Sequence, residues 1–284
     1  MINHNGEILP ALPEQLLEIQ RAAYYGDGIF ETIRSFNATM PFWELHWARL
    51  QRGIRALEME LPASWTSSFI AGEIQKAGIT NSRIRLTVWR GSGGLFMPEN
   101  RQVNFLITTQ TLNTPMFEWG AEGVSAVYCH SVKLPMDELS GIKMLGGARY
   151  VKAALECKKS GAEDGLLFNT EHRICEAVSS NISWIKDSCL YFPPPGEGQV
   201  LGTMQEHLLS LAKAEGWKTV PRLCKKKDLQ DADEILLSNA IHGVRWIRSL
   251  EGKLYGFDCA KKIYHLLHQD LLNHLNQPRS PLKG

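Results

Sequence analysis

The polar and apolar positions of this chain change period several times along its length. The run IFETIRSF at 29–36 reads as a strand, and within 43–58 Trp47, Leu50, Ile54 and Leu57 recur at spacings of 3, 4 and 3, the repeat of one helix face. Residues 83–90 (RIRLTVWR) alternate, which puts Ile84, Leu86 and Val88 on one side of a strand. Residues 103–109 form another strand, and the polar stretch 110–115 closes this first section. At the start of the chain, Asn5-Gly6 is a pair suited to a tight hairpin turn. A second section begins near residue 123, with strand-like runs at 124–129, 165–169, 181–186 and 234–238 and helix-like runs at 147–159, 203–215 and 257–275. Pro193-Pro194-Pro195-Gly196 must be a loop. The order is not a regular strand–helix alternation, so a simple doubly wound sheet is not expected. The pattern predicts two α/β domains, 1–113 and 124–284, joined by a linker at 114–123; a single domain with a long insertion is the alternative.

Composition sharpens this only in what it removes. A chain of 284 residues that is 44% hydrophobic and 21% charged can build its core without disulfides or metals. A formal net charge of +1 gives no reason to expect a nucleic-acid partner, and Lys225-Lys226-Lys227 beside Asp228 reads as a solvated surface turn. The six cysteines include no C-x-x-C, and the closest two, Cys175 and Cys189, stand 14 residues apart, which suits neither a zinc site nor a disulfide scaffold. Scattered free thiols fit a reducing compartment. No basic-then-apolar leader is visible near Met1, and no apolar run approaches the roughly 18 residues of a membrane span. A soluble, cytoplasmic protein is expected.

The candidate chemistry begins at Lys143. It lies in Ser140-Gly141-Ile142-Lys143-Met144-Leu145-Gly146-Gly147, an apolar, glycine-rich stretch before a predicted helix. A lysine in such surroundings is a candidate for a desolvated amine of lowered pKa, the form imine chemistry needs. By itself the segment better suits a lysine whose head reaches water from a loop. Other segments change that weighting: YYGDGIFETIR at 24–34, His46-Trp47-Ala48-Arg49-Leu50, Glu176 with Ser179-Ser180-Asn181, Val200-Leu201-Gly202-Thr203-Met204, and Ala232-Asp233-Glu234 with Ser238-Asn239-Ala240.

In this order and at these distances, from about residue 21 to 250, the set resembles the class IV aminotransferases, a family that includes branched-chain and D-amino acid aminotransferases and 4-amino-4-deoxychorismate lyases. The resemblance implies a two-domain α/β (α+β type) fold of pyridoxal-phosphate fold type IV, with the cofactor pyridoxal 5'-phosphate in the interdomain cleft, a homodimer, and a small-molecule amine as substrate. It implies that Lys143 is the Schiff-base lysine and proton carrier, that Arg49 binds the cofactor phosphate, and that Glu176 pairs with the pyridine nitrogen. Gly202-Thr203-Met204 would hold the phosphate through backbone N–H groups at a helix start. Val200 would pack on the ring, Ser238 and Asn239 would form a second phosphate-side turn, and Ser179, Ser180 and Asn181 would line the same region. Tyr25, Phe30, Thr32, Arg90 and His242 are the candidates on the substrate side, and Arg85 and Arg101 join them by residue type.

Four positions depart from the family pattern. Met204 and Gln205 stand where Thr and Arg are common, Asn239 replaces a threonine common in transaminases, and Gln20 replaces an acid before Arg21. Two reactions follow. Arg90-Gly91-Ser92-Gly93-Gly94, Ser140-Gly141-Ile142-Lys143 and Asn239-Ala240 look similar to the lyases, which release pyruvate and 4-aminobenzoate. An amino-acid transaminase is the alternative, although no Tyr-x-Arg-Pro strand of the branched-chain kind occurs near 85–90. A cofactor-binding homologue without turnover is a third reading, opposed by the joint presence of Lys143, Arg49 and Glu176. The glycines at 91–94 lack the Lys-Ser/Thr pair of a nucleotide loop and read instead as a hairpin or an active-site loop.

Overall fold

A computed structural model describes residues 2–4, 7–9 and 19–276. Strands β1 (Ile2–His4) and β2 (Glu7–Leu9) pair antiparallel with Ile2 opposite Leu9; the Asn5-Gly6 turn lies outside the described residues. Helix α1 (Gln20–Tyr25) then leads to a three-stranded antiparallel meander of β3 (Gly28–Arg34), β4 (Ser82–Arg90) and β5 (Val103–Thr111). Alternation decides its two faces. Ile29 and Ile33 of β3 and Ile84, Leu86 and Val88 of β4 are buried beneath α2 (Trp43–Ala56) and α3 (Ser67–Lys76). The helix-period residues Trp47, Leu50 and Ile54 supply the opposite wall of that core. Phe30 and Thr32 of β3 and Arg85 and Thr87 of β4 fall on the other face, where they stay half-buried. Thr66 caps α3 by accepting the Phe69 N–H at 3.1 Å.

The rest of the chain builds a nine-stranded mixed sheet from β6 (Val124–Leu134), β7 (Asp164–Asn169), β8 (Ile174–Ala177), β9 (Asn181–Lys186), β10 (Cys189–Phe192), β11 (Thr219–Pro221), β12 (Glu234–Asn239), β13 (Gly243–Leu250) and β14 (Lys253–Leu254). Six of these strands close on themselves in the order β9-β12-β13-β6-β7-β8, because β8 pairs back onto β9 through Glu176 and Asn181. Alternate residues fill the inside of the ring, among them Tyr128, Leu166, Ile182, Trp184, Ile235 and Ile247. Outside it, α4 (Ala148–Lys159) covers β6 and β7, while α5 (Thr203–Ala214) and α7 (Asp258–Asn276) cover β12 and β13. Only β13–β6, β6–β7 and β10–β11 are parallel, in keeping with the irregular element order of the sequence.

Several expectations change. Strands β8, β10, β11, β13 and β14 carry no clean alternation, and β8 is buried throughout, so period-two patterning passes over them. The run Lys225–Lys227 is not a plain turn: α6 (Lys226–Gln230) starts there, with Asp228 accepting the Lys225 N–H at 2.8 Å. The two sheets share no strand, and the chain passes from one to the other between 112 and 123. That connection is packed rather than loose. Phe117 is buried against Phe36, and the Arg34 guanidinium donates to the carbonyls of Thr114 at 2.9 Å and Met116 at 2.6 Å.

Candidate active site

The Lys143 segment runs between β6 and α4 and is drawn against β3. The Phe30 N–H donates to the Lys143 carbonyl at 2.9 Å, the Leu145 N–H donates to that of Gly28 at 3.0 Å, and Met144 bridges to Ile29. The backbone of Lys143 is thus held as a short extra strand at the edge of the meander. Its side chain is half-buried, and Nζ stands 4.6 Å from the centre of the Phe30 ring. Burial first, then the Arg49 and Arg85 charges, lower the amine pKa to about 8 against the pull of Glu31 and Glu176.

Arg49 reaches the same place from α2. Glu31, in the apolar phase of β3 between Ile29 and Ile33, accepts from Arg49 Nε at 2.8 Å through Oε1 and from Nη2 through Oε2. His46, one turn before Arg49, shares Oε2 through Nδ1 at 2.7 Å. Burial alone would raise the Glu31 pKa; the Arg49 charge and the hydrogen bonds outweigh it and hold the carboxyl at about 2. Burial also pushes His46 below its ordinary value, against the pull of Glu31.

Glu176 arrives on β8. The Tyr150 hydroxyl, from one face of α4, donates to Oε1 at 2.6 Å, and the Val200 N–H donates to Oε2 at 3.1 Å. Burial raises this carboxyl to about 7 even though both hydrogen bonds and the Lys143 and Arg49 charges favour the ionised form. Two glutamates in one site are therefore driven in opposite directions, Glu31 by a two-point guanidinium contact and Glu176 by desolvation.

Val200-Leu201-Gly202 is the hub that joins these groups. Asn181 Nδ2 donates to the Val200 carbonyl at 2.7 Å, the Leu201 N–H donates to the Gly141 carbonyl at 3.1 Å, and Arg49 Nη1 donates to the Leu201 carbonyl at 3.1 Å. Gly141 has φ of +92° and lies against Leu201, so the turn before Lys143 needs glycine. Gly202 precedes α5 without a side-chain cap, and a Cβ there would stand 1.7 Å from Asn181 Oδ1. The first N–H groups of α5, from Thr203 onward, thus face a backbone that a side chain would block.

The other sequence candidates divide. Met204 sends its side chain into the core with Leu208, leaving only its backbone for the site. Gln205 turns inward as well, donating to the Ile182 carbonyl at 2.9 Å. Ser238 pairs with Asn181 across β12 and β9. Asn239 organises the next turn: Oδ1 accepts the N–H groups of Ile241 at 3.0 Å and His242 at 2.8 Å, and Nδ2 donates to the Ser179 carbonyl and Ser180 Oγ, each at 3.1 Å. His242 is exposed, and burial of its ring with the nearby Arg245 charge lowers its pKa. Thr32 lies opposite Arg85 in the meander. Tyr25 packs under Arg21 and against Phe96. Arg90 is not brought to Lys143 but is engaged elsewhere, donating to Asp27 at 2.9 Å and to the carbonyls of Leu57 and Glu58. Arg101 pairs with Glu58 at 3.2 Å.

Sequence reasoning missed Glu31, His46 and Tyr150 as individual residues. Glu31 had a readable signal, a carboxylate where the strand's alternation calls for an apolar side chain. Tyr150 had none, because its contact with Glu176 depends on how α4 docks.

A family model for class IV amino-transferases matches residues 28–250. The chain belongs to that family. As a class IV enzyme it is 24% identical over 226 residues to the aminodeoxychorismate lyase of Vibrio harveyi, covering 79% of this chain and 83% of that one. The 4-amino-4-deoxychorismate lyase of Pseudomonas aeruginosa superposes with a TM-score of 0.80 at 26% identity, covering 92% of this chain and 97% of that one. The branched-chain aminotransferase of the archaeon Thermoproteus uzoniensis, solved with norvaline, gives a TM-score of 0.80 at 18% identity, covering 96% and 94%. Another branched-chain enzyme of this fold was solved with pyridoxamine 5'-phosphate. The fold is therefore fold type IV, as the motifs implied, and class IV members are enzymes dependent on pyridoxal phosphate. The residues here fit that group: an amine of lowered pKa, a guanidinium fixed by a buried carboxylate, a helix start opened by Gly202, and a second carboxylate with two hydrogen-bond donors behind it. No helix among the described residues is long and apolar enough to cross a membrane.

Proposed function

We propose that this class IV enzyme is a 4-amino-4-deoxychorismate lyase, releasing 4-aminobenzoate and pyruvate. The observation that carries the reading is Arg85. Its guanidinium lies 3.9 Å from the Phe30 ring centre, the same ring that Lys143 Nζ overlies, and no carboxylate among the described residues pairs with it. Burial and the adjacent Arg83 charge lower its pKa, so the charge is held there at an electrostatic cost. An unpaired guanidinium beside a reactive amine suits a substrate that carries carboxylates as well as an amine. A branched-chain donor brings a single carboxylate and would need an apolar surface for its side chain as well.

Bound pyridoxal phosphate supplies the electron sink for the reaction. The chain supplies the rest. Lys143 would hold the group and, as a free amine, would take the proton from the amine-bearing carbon. Arg49, Gly202, Thr203 and the Met204 backbone would bind the phosphate, with Ser238, Asn239 and Ser179–Asn181 nearby. Glu176 would pair with the ring nitrogen and Val200 would pack on the ring. Arg85, with Phe30 under it and Thr32 opposite, would orient the substrate carboxylates, and His242 is a further candidate for that side. The same reading includes an interdomain position for the cofactor between 1–113 and 124–284, a homodimer, and a cytoplasmic location.

An amino-acid transaminase is the second reading, favoured by the fold match to the branched-chain enzyme, since Lys143 and Glu176 serve either reaction. The test is a paired assay. Aminodeoxychorismate should give 4-aminobenzoate with equimolar pyruvate, and a panel of amino donors with 2-oxoglutarate or pyruvate should give little keto acid. Keto-acid formation without 4-aminobenzoate rejects the lyase.

A further inference from the structure

Away from Lys143, a cavity of about 250 Å³ opens between β6, β7, the β7–β8 turn and the start of α6. Its polar lining is two lysines and two histidines, Lys133, Lys226, His130 and His172, over a floor that includes Phe168 and Cys129. None of these four side chains forms an ion pair with a carboxylate among the described residues. The Glu156 carboxylate, behind β6, accepts the backbone N–H groups of His130 at 2.9 Å and Ser131 at 3.0 Å. Asp228 pairs with Arg222 and accepts the Lys225 N–H. Two lysines around one concave surface focus their field on whatever enters.

Two features of the backbone aim these groups. The pairing of β6 with β7 slips between Cys129 and Lys133, so the extra residues loop outward and turn Lys133 toward the cavity. In the turn after β7, His172 takes a left-handed conformation with φ of +60°, uncommon outside glycine. Its Nε2 stands 2.9 Å from Lys133 Nζ, within hydrogen-bond reach. Opposite them, Lys226 is steadied over the Tyr128 ring at 4.2 Å, and the His130 ring stacks on Phe168 at 5.3 Å. Lys133, His130 and His172 are exposed and Lys226 is half-buried, so an entering anion meets two ammonium groups and two imidazoles that solvent otherwise satisfies.

We propose that this cavity binds a small organic dianion, a phosphate ester or a dicarboxylate, at a site separate from the Lys143 centre. Its size exceeds that of a single inorganic ion, and Phe168 and Val132 offer an apolar wall for a short carbon skeleton. Lys133 and Lys226 meet the charge from two sides, and the imidazoles donate hydrogen bonds.

The experiment titrates desalted holoenzyme, in which the cofactor's own phosphate fills the Gly202 turn, with inorganic phosphate, malonate and acetate at constant ionic strength. Binding is followed by calorimetry and by the ring resonances of His130 and His172. Phosphate or malonate should saturate one site per chain and shift both resonances, with acetate at least tenfold weaker; the tighter of the two dianions identifies the source chemistry. Lys133→Gln and Lys226→Gln should each weaken that binding tenfold or more, while Lys225→Gln, next to the cavity but outside it, should not. The proposal is overturned if the dianions bind no better than acetate, or if both cavity variants keep wild-type affinity.

Discussion

Glu31 and Arg49 meet across the β3–α2 interface in a two-point contact, Nε on Oε1 at 2.8 Å and Nη2 on Oε2, with His46 sharing the second oxygen. The strand presents the carboxylate to the helix, and the carboxylate in turn fixes the plane of the guanidinium. Arg49 Nη1 donates to the carbonyl of Leu201, the residue before Gly202.

Breaking this contact should cost both stability and cofactor affinity. Glu31→Ala leaves a buried guanidinium unpaired, and urea denaturation should show a loss of about 3–5 kcal/mol. The sign with pH is also defined. The native carboxyl titrates at about 2 rather than its ordinary 4.5, so its contribution is complete above pH 4.5 and is lost as pH falls toward 2. Acid unfolding of Glu31→Gln should therefore show a weaker dependence on pH across that window than the wild type.

Lys143 should react as an amine of pKa about 8. The rate of reconstitution with pyridoxal phosphate should climb through pH 8 and level off well below 10.5. Lys143→Ala should retain no borohydride-fixed cofactor and lose turnover by about 10²–10⁴-fold or more. A variant that is labelled like wild type would remove Lys143 from the mechanism.

Tyr150 and Glu176 form a coupled pair whose effects can be separated. Tyr150→Phe removes the 2.6 Å donor to Oε1, which raises the Glu176 pKa further and weakens its hold on the ring nitrogen. The absorption titration of the bound cofactor should shift, and turnover should fall by roughly tenfold, as for a lost hydrogen bond to a charged group. In cofactor-free protein the sign for Glu176 is the reverse of Glu31. Its raised pKa makes the native state lose stability as pH rises from 4.5 through about 7, so Glu176→Gln should melt at or above the wild-type temperature at pH 8.

Gly202→Ala places a methyl group where Asn181 Oδ1 stands, 1.7 Å away. Either the Asn181 side chain or the start of α5 must shift, and the affinity for pyridoxal phosphate should fall at least tenfold in a fluorescence titration. Asn181→Ala combined with it should restore part of that loss if the clash is the cause.

Arg85→Leu removes a half-buried charge without a carboxylate partner. Thermal stability should stay equal or rise, whereas KM for aminodeoxychorismate should rise by about 10–100-fold, the worth of a charge-assisted contact. An unchanged KM would take Arg85 out of substrate binding.

Much of the scaffold was legible beforehand where one face of an element is wet and the other dry. The helix at 43–56 and the strand at 82–90 follow the sequence pattern almost residue for residue. Legibility failed where both faces are buried, as in β8, and where an element is only a few residues long, as in β11 and α6. The substrate side shows the same limit. Arg90 and Arg85 are alike in sequence, two phases of one strand, yet Arg90 is tied to Asp27 and Arg85 faces Lys143 across the Phe30 ring.

By itself the sequence determined the periodicities, the glycines that backbone geometry demands, and the ordered set of Lys143, Arg49, Glu176 and Gly202 that marks the family, because each rests on local chemistry or on order along the chain. Only the tertiary structure decided which charges meet. Glu31 finds Arg49 through the docking of a helix on a strand, Tyr150 finds Glu176 through the docking of α4 on the closed sheet, and Lys133 finds His172 through a register slip and a left-handed turn. Those contacts join residues 18 to 39 positions apart, and their energies depend on burial that no single segment possesses before the two sheets and their helices close around it.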